Sequence, residues 1–285
     1  MRRIGGPGVT PAENAELALL LEVSSTPKPG NVDRNRDLDD LRFEHFLAGA
    51  VGSSEGLRMA ADGAPVGAAF ERAVEGMSRQ GGGNTQFGCL LLLVPLVRAA
   101  AENGDLTPET ATSVVESTTV ADAAAFYRSF EHVDVAVDDP PHDAPELDVR
   151  RGSDAVPALE SRGLTLYDVM ELSAGRDGNA REWTGGFRRT FAAADAICDD
   201  DGPVPDRAAR AFLDLLVEEP DTLVATRHGE EVAAAVSGWA ADARGDEAAT
   251  ERLAEALVAE GVNPGTTADI TAAALFVALE RGLRV

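Results

Sequence analysis

Apolar residues recur at spacings of three and four along nearly the whole chain, a period that leaves little room for anything but helix. Thr10-Pro11 ahead of residues 13–22 shows how each segment opens, with a capping hydroxyl, a proline at the first helical position and apolar spacing behind it. The same reading covers 41–61, 65–79, 85–102, 107–117, 119–131, 153–162, 165–174, 178–198, 205–218, 229–243, 247–260 and 267–281. Alanine is abundant and β-branched runs are few, which favours helices that pack closely. One brief strand-like alternation, His132-Val133-Asp134-Val135-Ala136-Val137, runs straight into the proline-rich loop 138–146. The expected fold is therefore all-α, a single-domain multi-helix bundle around a buried central helix at 85–102. It would span 10–285 behind a flexible N-terminus over 1–9. The longest apolar block, 87–97, contains Pro95 and stops at Arg98, too short to cross a bilayer.

Composition describes the surroundings of this bundle. With 49 acidic residues against 25 Lys plus Arg, the net charge is -24 over 285 residues. Such a surface repels nucleic acid and anionic membranes, so neither is an expected partner. Acidic excess with almost no lysine reads as adaptation to a salt-rich cytoplasm, where screening removes the self-repulsion. Cys89 and Cys198 lie far apart with no metal-ligand spacing, and both read as core thiols of a reducing compartment. The basic start, Met1-Arg2-Arg3-Ile4, lacks the apolar run of a signal peptide, and the expected location is the cytoplasm.

Lys28 is the single lysine, inside Ser24-Ser25-Thr26-Pro27-Lys28-Pro29-Gly30-Asn31-Val32-Asp33-Arg34. Two prolines and a glycine deny that stretch helical geometry, so it must be an extended loop. An ammonium is a compact point charge that a planar guanidinium does not replace, which suggests a site needing one amine near a phosphate. Three further clusters stand where helices begin or end. Gly81-Gly82-Gly83-Asn84-Thr85-Gln86-Phe87-Gly88 feeds the most apolar helix, whose free N–H groups would suit an anion, though taken alone the run reads first as a plain loop with an Asn or Thr cap. Asp221-Thr222 with Arg227, His228 and Gly229 forms the third cluster. Pro264-Gly265-Thr266-Thr267-Ala268-Asp269 opens the final helix and places a carboxylate at its rim.

These four clusters, in this order, resemble the triphosphoribosyl-dephospho-CoA synthase family, which serves the prosthetic-group pathway of citrate lyase and malonate decarboxylase. Glu22 to Asp33 is similar to the family's Glu-Val-Ser-Thr-Thr-Pro-Lys-Pro-Gly-Leu-Val-Asp signature, and the three later clusters match its later motifs across most of the chain. The likeness is broken at three places. Gln86-Phe87 stands where the family has a basic His-Lys pair, Leu223 where it has Asn, and Thr266 where it has a second glycine.

The resemblance implies an enzyme that joins the ribose of ATP to a ribose hydroxyl of 3'-dephospho-CoA and releases adenine. A related transfer to another cofactor precursor, hydrolysis with water as acceptor, and a non-catalytic nucleotide-binding module are the alternatives. Breaking the glycosidic bond builds positive charge on ribose, so a carboxylate near C1' and an acid near adenine would lower the barrier. On that mechanism Glu22, Asp33, Asp221 and Asp269 are the catalytic candidates, Glu22 as base for the acceptor hydroxyl. Asp33, Asp221 and Asp269 are candidates for Mg2+, while Lys28, Arg34, Arg227 and the run through Gly82, Gly83, Asn84 and Thr85 would hold the phosphates. Lys28→Ala is expected to abolish activity while leaving the fold intact.

Overall fold

A computed structural model describes residues 9–140 and 142–285. Of the flexible N-terminus expected over 1–9, all but Val9 lies outside the described residues. The first half of the chain forms α1 (Pro11–Ser24), α2 (Phe43–Ala61), α3 (Val66–Met77), α4 (Phe87–Asn103), α5 (Pro108–Glu116), α6 (Val120–Ser129) and α7 (Val156–Arg162). There follow α8 (Leu166–Ser173), α9 (Gly178–Thr184), α10 (Arg188–Asp199), α11 (Val204–Glu218), α12 (Thr222–His228), α13 (Glu230–Ala243), α14 (Glu247–Ala259) and α15 (Gly265–Glu280). No strand occurs among the described residues, so the all-α expectation holds.

Threonine starts several of these helices by the same device. Thr10, Thr107, Thr119 and Thr165 each accept from the backbone N–H three residues on, and the side chain there accepts in return, which satisfies donors the helix itself leaves free. The expected helix 178–198 is two helices, because Gly186 and Phe187 adopt positive φ of 70° and 56° between them. Phe187 cannot cap α10 with its ring, and the Glu182 carboxylate does so instead, accepting from Arg189 N and Thr190 N. The alternation at 132–137 finds no neighbouring strand and runs as irregular chain. The 153–162 segment opens as a 3₁₀ turn over Val149–Ala155 before α7 begins.

Two helices run through the centre. α4 carries fully buried leucines and valines from Leu90 to Val97, and α15 packs against it. From Thr266 to Leu279 every α15 residue is buried except Asp269. A second core beneath α12, α13 and α14 gathers Phe212, Leu216, Val224, Val236 and Leu257. α11 joins the two, since Ala208, Ala211 and Leu215 face the main core while Phe212 and Leu216 face the second. Cys198 departs from its reading as a core thiol, being exposed, while Cys89 is buried.

Candidate active site

A cavity of about 490 Å³ opens where the four sequence clusters meet. That is within the roughly 300–1,000 Å³ range of small-molecule sites. Its wall takes Glu22 from α1, Asn31 from the following loop, Gly82 to Thr85 and Cys89 around the start of α4, Thr222 and Arg227 from α12, and Asp269 from α15. The α8–α9 corner adds Arg176 and Asn179, and irregular chain adds Val135, Val137 and Asp138.

Lys28 stands behind this wall. It is completely buried, its Nζ paired with Glu22 and donating to Asn31 Oδ1 at 2.8 Å, with the Phe212 ring 5.9 Å away. The ammonium expected to meet a phosphate thus does not line the cavity, and its contacts are with Glu22, which does, and with Asn31. Burial pushes the Glu22 carboxyl up, and the ammonium opposes that shift. Gly30 makes the loop possible, with φ 74° and the Val262 carbonyl 2.1 Å from where a Cβ would lie. Asn31 Nδ2 then donates to Asn263 Oδ1 at 2.8 Å, tying the loop to the entrance of α15.

Asp33 and Asp221 depart from their expected roles for one reason: their oxygens are already used. Asp33 Oδ2 accepts from Thr26 Oγ1, Lys28 N and Arg36 Nη1, and Oδ1 accepts from Asn35 N. Asp221 Oδ1 caps α12 through Leu223 N and Val224 N, and Oδ2 accepts from Thr267 N and Oγ1 at 2.7 Å each. Neither lines the cavity, so neither is placed to ligate Mg2+ or face a ribose there. Arg34 is exposed away from the cavity wall. Arg36, which the sequence reading passed over, bonds Asp33 and pairs with Glu251 of α14.

Asp269 behaves differently. Its Oδ1 accepts from Cys89 Sγ at 3.1 Å and its Oδ2 from Asn179 Nδ2 at 2.8 Å, and it still faces the cavity. Burial raises its pKa to about 7, the two hydrogen bonds opposing and the charges of Asp221 and Glu22 adding. Cys89 lies between the carboxyls, its thiol pushed well up by burial and then by Asp269 and Glu22. Gly88 makes this seat, for a Cβ there would lie 1.9 Å from Asp269 Oδ2 and 2.6 Å from Asn179 Nδ2.

The glycine run borders the cavity, with Gly82 N–H bound by Gln80 Oε1 and Phe87 N–H by Asn84 Oδ1. Arg227 lies exposed in the last turn of α12 on the wall, without an ion pair among the described residues. His228 is exposed beside it. Arg176, unnoticed in the sequence, joins the wall while donating to Asp139 O. Asn179, also unnoticed, was legible only as one polar position in a helix, although Gly88 marked a close approach by something. The three breaks in the motifs all lie here: Phe87 belongs to a ring cluster with Phe70, Phe126 and Phe130, Leu223 packs over Gly265, and Thr266 Oγ1 lies 3.0 Å from Thr222 Oγ1.

A search of curated proteins finds no match. A crystal structure from Archaeoglobus fulgidus, provisionally assigned as a triphosphoribosyl-dephospho-CoA synthase, is similar at 28% identity and TM-score 0.69, covering 84% of this chain and 100% of that one. The model of the CitG family, ATP:dephospho-CoA triphosphoribosyl transferase, matches residues 9–284. The chain thus belongs to the ATP:dephospho-CoA triphosphoribosyl transferase family.

Proposed function

We infer that the cavity transfers the triphosphoribosyl group of ATP to 3'-dephospho-CoA and releases adenine. The observation that carries this reading is a pair of carboxyls in unlike environments on one cavity. Glu22 is ion-paired with a buried ammonium, while Asp269 is raised to about 7. Burial raises both carboxyls, but only Glu22 has an ammonium beside it to oppose the rise, and such unequal surroundings divide base from acid work. Asp269, raised to about 7, is poised to carry a proton near neutral pH and deliver it to the departing base. Glu22 faces the developing ribose cation and takes the proton of the acceptor hydroxyl, with Lys28 holding it in place. Arg227 and the backbone at Gly82, Gly83, Asn84 and Thr85 hold the phosphates.

The residues present do not assemble a magnesium centre of their own. Among the described residues no group of three or more His, Cys, Asp and Glu side chains converges, and the oxygens of Asp33 and Asp221 already serve the fold. Mg2+ is expected to enter as part of the substrate, since it keeps its waters and binds mainly through phosphates. Both substrates belong to the cytoplasm, and no described helix is long and apolar enough to cross a membrane. The net charge of -24 is expected to make stability depend on salt, with the melting temperature rising as KCl is raised toward molar concentration.

The test is adenine release from Mg-ATP at molar KCl, with and without 3'-dephospho-CoA, with mass detection of both products. Adenine together with a dephospho-CoA adduct supports the reading. Ribose triphosphate without an adduct would make water the acceptor and refute it.

A further inference from the structure

Asn179 carries bonding capacity that the polypeptide does not use. It is 7% exposed and lines the cavity. Its Nδ2 donates to Asp269 Oδ2 at 2.8 Å, whereas its Oδ1 has no partner. A buried amide oxygen without a donor is costly, so the missing donor belongs to whatever fills the cavity. The amide has little freedom to turn away. Asp177 caps α9 through Ala180 N, Thr222 Oγ1 accepts from Gly178 N, and the α4 backbone at Gly88 lies directly against both Asn179 Nδ2 and the Asp269 carboxyl.

Side by side, then, the cavity presents a carbonyl oxygen that wants a donor and a carboxyl that can hold a proton. The major-groove edge of adenine carries the complement, a 6-amino donor next to the N7 acceptor. Hypoxanthine and guanine put an oxygen in place of the amino group and would set two acceptors against each other. The rings of Phe87, Phe126 and Phe130 border the same cavity and give a purine an apolar wall.

We propose that Asn179 selects the nucleobase, its Oδ1 accepting from the 6-amino group of the nucleotide while the Asp269 carboxyl donates to N7. The proposal rests on the reaction inferred above and names the residue that makes it specific for ATP. The C1'–N9 bond breaks with its electron pair passing into the purine. The Asp269 proton goes to N7, so adenine leaves neutral. The acceptor oxygen bonds C1' and its proton passes to Glu22. The two carboxyls then exchange protons with solvent before the next turnover.

The experiment compares Mg-ATP, Mg-ITP and the triphosphate of purine riboside, which lacks the 6-amino group. Two readouts are taken, free base released with 3'-dephospho-CoA present, and thermal stabilisation without it. Wild type is expected to favour ATP over both analogues by about tenfold or more in kcat/KM, since an unmet buried acceptor discriminates strongly. Asn179→Ala should bring the ratio to within about twofold, mainly through KM for ATP, a change that a merely structural role would not produce. Equal kcat/KM for ATP and ITP in wild type would overturn the assignment while leaving the reaction intact. A preference for ITP would mean that the amide presents Nδ2 and would overturn it too. If no base were released but ATP alone stabilised the wild-type protein, the transfer reaction would fall and base selection by Asn179 would stand as a binding property. These wild-type comparisons can overturn the assignment even if the alanine variant fails to fold, and Asn179→Asp, which keeps the shape and removes the Nδ2 donor, then supplies the second variant.

Discussion

Asp221 accepts four hydrogen bonds, from Leu223 N, Val224 N and both donors of Thr267, whereas Asp269, two residues beyond Thr267 in α15, accepts two and keeps a face on the cavity. Both are acids beside a helix start, and burial raises the pKa of each. What separates them is where their lone pairs go. Asp221 pins α12 to α15 and so places Thr222 and Arg227. Asp269 is held by one thiol and one amide and has capacity left for a ligand. The first loop repeats the contrast, with Asp33 fully occupied by its own turn and Glu22 open to the cavity beside Lys28.

Exchanging the behaviour of the two aspartates would break this comparison. Asp269→Asn is expected to lower kcat by about a thousandfold, the scale of a lost general acid. The fold should survive, because the amide is of the same shape, its oxygen can accept from Cys89 or Asn179, and its nitrogen can donate to the other partner's Sγ or Oδ1; a variant with wild-type kcat would remove Asp269 from the chemistry. Lys28→Met should cost about 3–5 kcal/mol at neutral pH, because it leaves Glu22 buried without its partner. The loss should shrink in acid as Glu22 protonates, which urea melts at two pH values would show. The expectation that replacing Lys28 spares the fold is thereby revised, since the ammonium is a buried ion-pair partner. Asp221→Ala should destabilise by about 2–4 kcal/mol through a lost cap and orphaned Thr267 donors. Activity should be retained in the fraction that stays folded, so a large fall in kcat without a fall in melting temperature would contradict its structural role.

The pH dependence sharpens the comparison further. The Asp269 carboxyl has an ordinary value of 3.8 and is raised to about 7 in the fold. Between those values the folded state binds more protons than the unfolded one, so the contribution of this group to stability falls as pH rises from 3.8 to about 7 and is level above. Chemical melts of wild type and Asp269→Asn should therefore differ in slope over that window and run parallel above it. If the proton on Asp269 serves the departing base, kcat should also fall as pH rises through about 7.

Much of this molecule is legible one segment at a time. Threonine caps, alanine-rich periodicity and the near-absence of alternation dictate helices, and the four irregular clusters do converge on one cavity. Local reading failed where a distant partner decides. The 178–198 segment looked continuous because positive φ at Phe187 is sustained only by the core that buries its ring. Arg34 drew attention as the residue after Asp33, yet Arg36 has the geometry to meet both Asp33 and Glu251.

By itself the sequence determined the helical class, the non-helical loop around Lys28, the placing of polar clusters at helix ends and the family likeness, since each follows from covalent geometry or short-range spacing. Only the tertiary structure decided that Lys28 is buried against Glu22, that Asp33 and Asp221 each accept four hydrogen bonds, and that Asn179 meets Asp269 across 90 residues of chain. The physical reason is that a carboxylate declares its role through burial and the donors around it. Those donors come from helices that meet only when the core closes.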